Sequence, residues 1–126
     1  MVLHFRTTPA IRAFVDGQGL ADYARRGVIT PDHIIRTKNR PLLLEPPEAA
    51  DLADPGRFAA ACRKAVGAYR DEYHRYFEEQ SARSPAPKHE LDRTPRIVLL
   101  PGAGFFAAGA SEKGAKIAAD LFEHTI

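Results

Sequence analysis

The stretch RIVLLPGAGFFAAG, from Arg96 to Gly109, decides the fold of this chain. Its first part, Arg96–Leu100, contains the short apolar run Ile97–Leu100, which is of the kind that forms a buried strand. The next four residues, Pro101–Gly104, predict a tight turn, because glycine adopts positive φ angles at little cost. Phe105–Ala107 follows as a returning strand, which Gly109 closes. The stretch therefore predicts two strands of a β-sheet joined by a turn.

The same stretch has a second interpretation, because strand, Gly-rich turn and helix is the order found in phosphate-binding loops. Gly102 and Gly104 are not followed by a third glycine at the dinucleotide spacing, and no Gly-Lys-Ser/Thr is present. Positive φ angles in a tight turn explain both glycines without a ligand. We therefore favour the turn and retain Gly102 and Gly104 only as candidate anion-binding positions.

A long helix is predicted upstream of this stretch, beginning at Asp54-Pro55-Gly56 and running to about Gln80. Its apolar residues recur at steps of three and four, which places them on one stripe. The stripe consists of Phe58, Cys62, Ala65, Val66, Tyr69, Tyr73, Tyr76 and Phe77. We interpret the stripe as a helix face packed on a sheet rather than as an aromatic ligand box. His74 lies off the stripe, which predicts a solvated side chain.

Other elements extend the pattern towards both ends of the chain. Strands are predicted at Val2–Phe5 and Leu42–Leu44, and a final helix begins after Ser111. The helices predicted between the first two strands are Ala10–Val15, Leu20–Arg26 and one that begins at Thr30-Pro31. Strands alternating with helices predict an α/β fold, with a mixed sheet of four or five strands covered by helices.

The predicted domain organisation is one domain over residues 1–126 with an internal polar loop at 81–95. The chain starts in a strand and stops in a helix without a glycine or asparagine cap. Such ends are typical of a fragment, so we expect this chain to be part of a larger protein.

Composition excludes several classes of partner. The net charge is only +2, with Lys and Arg spread along the chain, which argues against a nucleic-acid surface. No apolar run approaches the about 20 residues that cross a bilayer, so no membrane partner is expected. A single cysteine, Cys62, cannot form an internal disulfide, which favours a reducing, cytoplasmic location.

The segment Thr30–Lys38 carries the strongest candidate chemistry. A helix capped by Thr30 would present free backbone N–H groups, which suit a phosphate or carboxylate. His33 and Arg36 are three residues apart, so both would lie on one helix face near Lys38. The candidate anion-binding residues are therefore Thr30, His33, Arg36 and Lys38 together with Gly102 and Gly104. The alternative is an ordinary helix start with surface cations.

Catalytic and metal sites are not predicted within this chain. The five histidines include no pair at i, i+2 or i, i+4, whereas zinc needs three or four converging ligands. No Gly-x-Ser-x-Gly is present, and Cys62 lies on the apolar stripe, where thiols are usually inert.

Two groups of segments resemble a known family. The first group, Arg26–Lys38 with Pro41-Leu42, resembles the middle region of bifunctional class II aldolase/short-chain dehydrogenase fusions. The second group resembles the stretch just before their dehydrogenase part, and it consists of Arg96–Phe106, Ala115–Asp120 and Glu123–Ile126. These fusions are of the rhamnulose-1-phosphate aldolase/alcohol dehydrogenase type, and the similarity runs from about Val2 to Ile126.

The resemblance implies a parent enzyme that cleaves a ketose 1-phosphate to dihydroxyacetone phosphate and an aldehyde, then oxidises the aldehyde with NAD. It implies a divalent metal, typically zinc, held by a His-x-His pair and a later His. This chain has no His-x-His, no Gly-rich dinucleotide loop and no Tyr-x-x-x-Lys, so both reaction centres are expected elsewhere. The expected partners are the aldolase and dehydrogenase modules; a sugar phosphate and a second copy of the chain remain open.

A comparison with the class II aldolase stretch Leu-Leu-x-Asn-His-Gly-x-Phe-x-x-Gly refines this expectation. Leu99, Leu100, Gly104, Phe106 and Gly109 agree with it, whereas Gly102-Ala103 stands where Asn and the metal-binding His would be. We hypothesise a non-catalytic, degenerate aldolase-like domain that has lost its metal and links or scaffolds the two modules. The alternative is a domain that binds a sugar phosphate and contributes substrate contacts to the aldolase.

Overall fold

A mixed four-stranded sheet lies in one of the two compact units into which the chain divides. The computed structural model describes residues 1–126. Met1–Glu48 and Pro95–Ile126 form the first unit, here called the sheet unit. Ala49–Thr94 form the second, here called the helical unit. The prediction of one domain stays a prediction, since two compact units can belong to one domain.

The elements follow one another in an order close to the predicted one. They are β1 (Val2–Arg6), α1 (Pro9–Val15), α2 (Leu20–Tyr23), α3 (Pro31–Thr37), β2 (Leu42–Leu43), α4 (Ala49–Ala53), α5 (Pro55–Ala82), β3 (Ile97–Leu100), β4 (Gly104–Gly109) and α6 (Glu112–Glu123). The predicted helix at Leu20–Arg26 is shorter than expected, because α2 ends at Tyr23.

The sheet has the strand order β1-β4-β3-β2. Strand β4 runs antiparallel to β1 and β3, while β2 runs parallel to β3. The predicted α/β fold and the strand–turn–strand stretch are thus confirmed. The phosphate-loop interpretation is wrong, because a strand and not a helix follows the turn. Gly104 has φ +148°, and a Cβ there would collide with the carbonyl oxygen of Arg6, so the hairpin requires glycine at this position.

The core of the sheet unit lies between one face of the sheet and helices α1 and α6. Its buried members are Ile11, Val15, Leu20, Ile97, Leu99, Phe105, Ala107, Ala118, Ala119 and Phe122. Helix α6 begins as predicted after Ser111, whose hydroxyl caps the helix by accepting a hydrogen bond from the Gly114 N–H at 3.1 Å. Alanines on its inner face allow the helix to approach β4 closely, and a Cβ on Gly109 would collide with the Ala115 backbone.

The helical unit is built on α5, which begins at the predicted cap. The Asp54 carboxylate accepts a hydrogen bond from the Gly56 N–H at 2.9 Å, and the helix runs 28 residues. Its apolar stripe is half-buried, with Tyr69 as its buried member. The sheet belongs to the other unit, so the expected packing of this stripe on the sheet stays a prediction. Residues 83–94 follow and contain no helix or strand.

His74 lies off the stripe, and its side chain is 35% exposed, with Nδ1 3.1 Å from a Glu90 carboxylate oxygen. The prediction of a solvated side chain is therefore met only in part, because the chain returns after α5 and brings Glu90 back to the helix. Helical periodicity does not predict such a contact. None of the helices is both long enough and apolar enough to cross a membrane.

Candidate functional site

Thr30 occupies the cap position of α3 but does not cap it. Its backbone is extended, with φ −138°, and its side chain makes no capping hydrogen bond to a backbone N–H of the helix. The hydroxyl oxygen instead lies 2.8 Å from Nδ1 of His33. The predicted helix start is confirmed, whereas the predicted capping role of the Thr30 side chain is wrong.

His33 is buried, with 5% of its surface exposed. Its Nε2 lies 2.9 Å from the carbonyl oxygen of Leu121 in α6. A carbonyl oxygen only accepts, so Nε2 carries a proton and donates it to Leu121, while Nδ1 forms its hydrogen bond with the Thr30 hydroxyl. Both ring nitrogens are therefore engaged within the protein, and the imidazole fastens α3 to α6.

Arg36 points away from this contact. Its side chain is 48% exposed, and Nε lies 3.2 Å from both carboxylate oxygens of Asp32, one turn earlier. Residues three positions apart differ by about 60° in direction around a helix. On α3 this difference is enough to leave His33 buried and Arg36 exposed. The prediction that His33 and Arg36 present one accessible face is therefore wrong.

Lys38 follows the last residue of α3 and has a left-handed φ of 69°. It is 2% exposed, although lysine is almost never fully buried unless its charge is paired. The residue lines a cleft in the sheet unit. Lys38 thus lies inside the fold, apart from the solvent-facing Arg36.

The Gly102 turn already holds a carboxylate. Gly102 has φ +82°, and its N–H donates a hydrogen bond of 2.7 Å to Asp16, which follows α1. Asp16 also accepts from Nε of Arg12 at 2.8 Å. Both hydrogen bonds hold the pKa of Asp16 below its ordinary value, and the bond from the Gly102 N–H has the larger effect. The anion at this turn is part of the protein itself.

The two candidate anion-binding segments lie towards opposite ends of β3. Leu42 pairs with Val98 in parallel register, so Lys38, before β2, lies towards the start of β3, whereas Gly102 follows its end. The structure therefore does not bring the Thr30–Lys38 segment and the glycine turn together. Anion binding by either segment stays a prediction.

The residues present do not fit the zinc that the aldolase resemblance implies. The residue at the position of the metal-binding histidine is Ala103, whose methyl group has no lone pair. No group of three or more His, Cys, Asp or Glu side chains converges at any point of the structure. The Gly102 N–H, beside Ala103, is used by Asp16.

Nothing in the sequence indicated a cleft of about 410 Å³ in the sheet unit. It is lined by Phe14, Tyr23, Ala24, Arg26, Gly27, Val28, Ile29, Thr37, Lys38, Pro41, Phe122, His124 and Thr125. These residues come from well-separated parts of the chain, so no local motif could have found it.

The architecture is matched by a known family. The sequence model described as "Aldolase class II, second domain" matches residues 1–126. The chain belongs to this class II aldolase family. A relative, "Uncharacterized oxidoreductase YuxG" from Bacillus subtilis (strain 168), is 25% identical over 127 residues. The match covers 100% of this chain but 18% of that relative. No solved structure was found to match the chain.

Proposed function

We propose that this chain is a non-catalytic, degenerate aldolase-like domain of a larger aldolase/dehydrogenase protein of the rhamnulose-1-phosphate aldolase/alcohol dehydrogenase type. In that protein it links or scaffolds the aldolase and dehydrogenase modules. The observation that carries the proposal is the turn at Gly102-Ala103. It keeps the surrounding aldolase-like residues but offers a methyl group where a metal ligand is needed.

Two further observations support this role. The class II aldolase family covers the whole chain, and the relative it resembles is named an oxidoreductase and is much longer than the matched segment. A second-domain family member inside a longer oxidoreductase is the arrangement expected of a linking domain. The ketose substrate and NAD belong to the proposal for the parent protein.

Zinc binding and turnover test the non-catalytic part. We expect the purified chain, incubated with zinc and dialysed, to retain only substoichiometric metal and to release no dihydroxyacetone phosphate from a ketose 1-phosphate. Ala103→His is the matched variant: it restores one imidazole, but zinc needs three or four ligands, so we expect it to remain inactive. Stoichiometric zinc in the unaltered chain, or turnover by it, would refute the proposal.

Association tests the scaffolding part. Separately expressed aldolase and dehydrogenase modules, mixed with this chain, should co-sediment with it in analytical ultracentrifugation. Sedimentation as three independent species would contradict a linking role while leaving the non-catalytic assignment intact.

Arg36 supports the alternative, a domain that contributes sugar-phosphate contacts. Its partner Asp32 is 57% exposed, and exposed i,i+4 pairs stabilise helices only weakly, so phosphate could replace the carboxylate at little cost. On this alternative, dihydroxyacetone phosphate or inorganic phosphate raises the melting temperature, and Arg36→Ala removes the rise. A flat response in both proteins favours the scaffold.

A further inference from the structure

We propose that the cleft beside the end of α6 binds a small molecule with an apolar or aromatic body and one anionic group. The proposed scaffold role assigns no ligand to this cleft, so the proposal of a ligand does not depend on the scaffold role. A volume of about 410 Å³ is within the range of small-molecule sites. The ligand class follows from three properties of the lining.

The first property is an aromatic wall. The rings of Phe14 and Tyr23 lie 4.8 Å apart, and Phe122 meets Phe14 edge-on at 6.1 Å between ring centroids. The Tyr23 hydroxyl donates to the Phe14 carbonyl oxygen, which fixes both residues. Ile29 also lines the cleft and is 68% exposed. Fixed rings beside an exposed aliphatic side chain suit a planar apolar body.

The second property is the absence of spare hydroxyl donors. The Thr37 hydroxyl donates to the His33 carbonyl oxygen at 2.8 Å, and the Thr125 hydroxyl donates to the Phe122 carbonyl oxygen at 2.6 Å. A polyhydroxylated ligand needs both donors and acceptors from its site. The lining therefore favours an apolar body over an unmodified sugar.

Hydrogen bonds to carbonyl groups also cover the negative end of α6. The Leu121 carbonyl accepts from His33, the Phe122 carbonyl from Thr125, and the Glu123 carbonyl from the Ile126 N–H at 3.2 Å. Because these carbonyl groups are satisfied, the helix end presents less negative potential to a bound anion.

The third property is charge. The cation Arg26 lines the cleft, and no Asp or Glu does. Arg26 pairs with Asp22 through one terminal nitrogen at 2.6 Å, and both side chains are more than two-thirds exposed, at 73% and 74%. An exposed pair contributes little, and the guanidinium has further donors for an anionic group. Charge complementarity thus selects an anion.

Binding of 8-anilino-1-naphthalenesulfonate to the 126-residue protein tests the proposal, because this probe combines two aromatic groups with one sulfonate. We expect saturable binding of one molecule per chain by fluorescence titration. N-phenyl-1-naphthylamine, which has the same rings without the sulfonate, should bind several-fold more weakly. Inorganic sulfate should not compete at comparable concentrations. Amide NMR shifts on titration should centre on Val28 and Thr125.

Arg26→Gln should weaken probe binding about five- to tenfold, through loss of one charge-assisted contact. Arg25→Gln is the matched control, since Arg25 is an exposed neighbour outside the lining. Equal weakening by both substitutions would overturn the proposal, as would equal affinity for the neutral probe. Unsaturable binding, or NMR shifts centred elsewhere, would also overturn it.

Discussion

At the scale of single residues, His33 is the side chain on which the attachment of α3 depends most directly. Removing it leaves the Leu121 carbonyl and the Thr30 hydroxyl, 2.9 and 2.8 Å from its ring nitrogens, without this partner. We predict that His33→Ala lowers the free energy of unfolding by about 2–3 kcal/mol, because a buried group loses its hydrogen bond. Urea unfolding followed by circular dichroism measures the change.

His89→Ala is the control for that measurement, because His89 is exposed in the polar segment after α5. It should change the unfolding free energy by less than about 0.5 kcal/mol. If both variants lost the same amount of unfolding free energy, the buried contacts of His33 would not contribute more to stability than an exposed histidine does.

Alanine substitutions at two glycines should change the free energy of unfolding in opposite directions. A Cβ at Gly109 would overlap the backbone of Ala115, whereas a Cβ at Gly67, in the middle of α5, meets nothing within 4 Å. We predict that Gly109→Ala lowers the free energy of unfolding by about 3 kcal/mol. Gly67→Ala should raise it by about 0.5–1 kcal/mol, since alanine favours the helix. Thermal unfolding measures both, and an unchanged or higher stability of Gly109→Ala would contradict the close approach of α6 to β4.

At the scale of elements, the polar segment 83–94 is held to α5 through Glu90. His74 lies 3.1 Å and Arg93 2.9 Å from its carboxylate. Burial would raise the pKa of Glu90, but the hydrogen bonds from Arg93 and His74 outweigh it and lower that pKa. The pKa of the nearby Tyr73 hydroxyl is raised, mainly by burial and to a smaller extent by the charge of Glu90.

The lowered pKa of Glu90 sets the pH dependence of this contact. A carboxyl group with a lowered pKa in the folded state stabilises that state above its unfolded pKa of about 4.3, and the contribution is lost as pH falls through the folded value. We predict that NMR signals of residues 83–94 shift as the pH falls below that unfolded value, when Glu90 takes up a proton. Glu90→Gln should produce similar signals at neutral pH and speed tryptic cleavage after Lys88 several-fold.

Glu79→Gln is the control for the Glu90 substitution, because it removes one negative charge from an exposed position on the same helix. Its cleavage rate should match that of the unaltered protein. Faster cleavage in both variants would mean that total charge, and not the contact with His74 and Arg93, orders the segment.

Local patterns predicted most elements, because local chemistry is enough to form them. Asp54 and Ser111 cap their helices as expected, and the turn before Gly104 uses the positive φ angles that only glycine adopts readily. The candidate site was less predictable. The partner of His33 lies 88 residues further along the chain, and helical spacing contains no information about such a distance. The cleft lining, which is equally non-local, left no signal in the sequence.

At the scale of the whole molecule, the helical unit is the connection between two parallel strands. Strand β2 pairs in parallel with β3, and residues 49–94 lie between them in the chain. Every member of the buried core belongs to the sheet unit. Arg6 adds contacts from β1 to α6, with Asp120 and with Glu123 at 2.5 Å, which join the two ends of the chain. The sheet unit therefore contains its own stabilising contacts.

This arrangement predicts that the sheet unit folds without the helical unit. Parallel strands need a crossover of about a dozen residues or more, so Ala49–Thr94 can be replaced by about twelve Gly and Ser residues. The shortened chain should unfold cooperatively on heating and give dispersed amide NMR signals. Adding Gly109→Ala should abolish or sharply lower that transition, because the substitution separates α6 from β4. A shortened chain without a cooperative transition would mean that residues 49–94 contribute to folding of the sheet, and the sheet unit would then not be an independent structure.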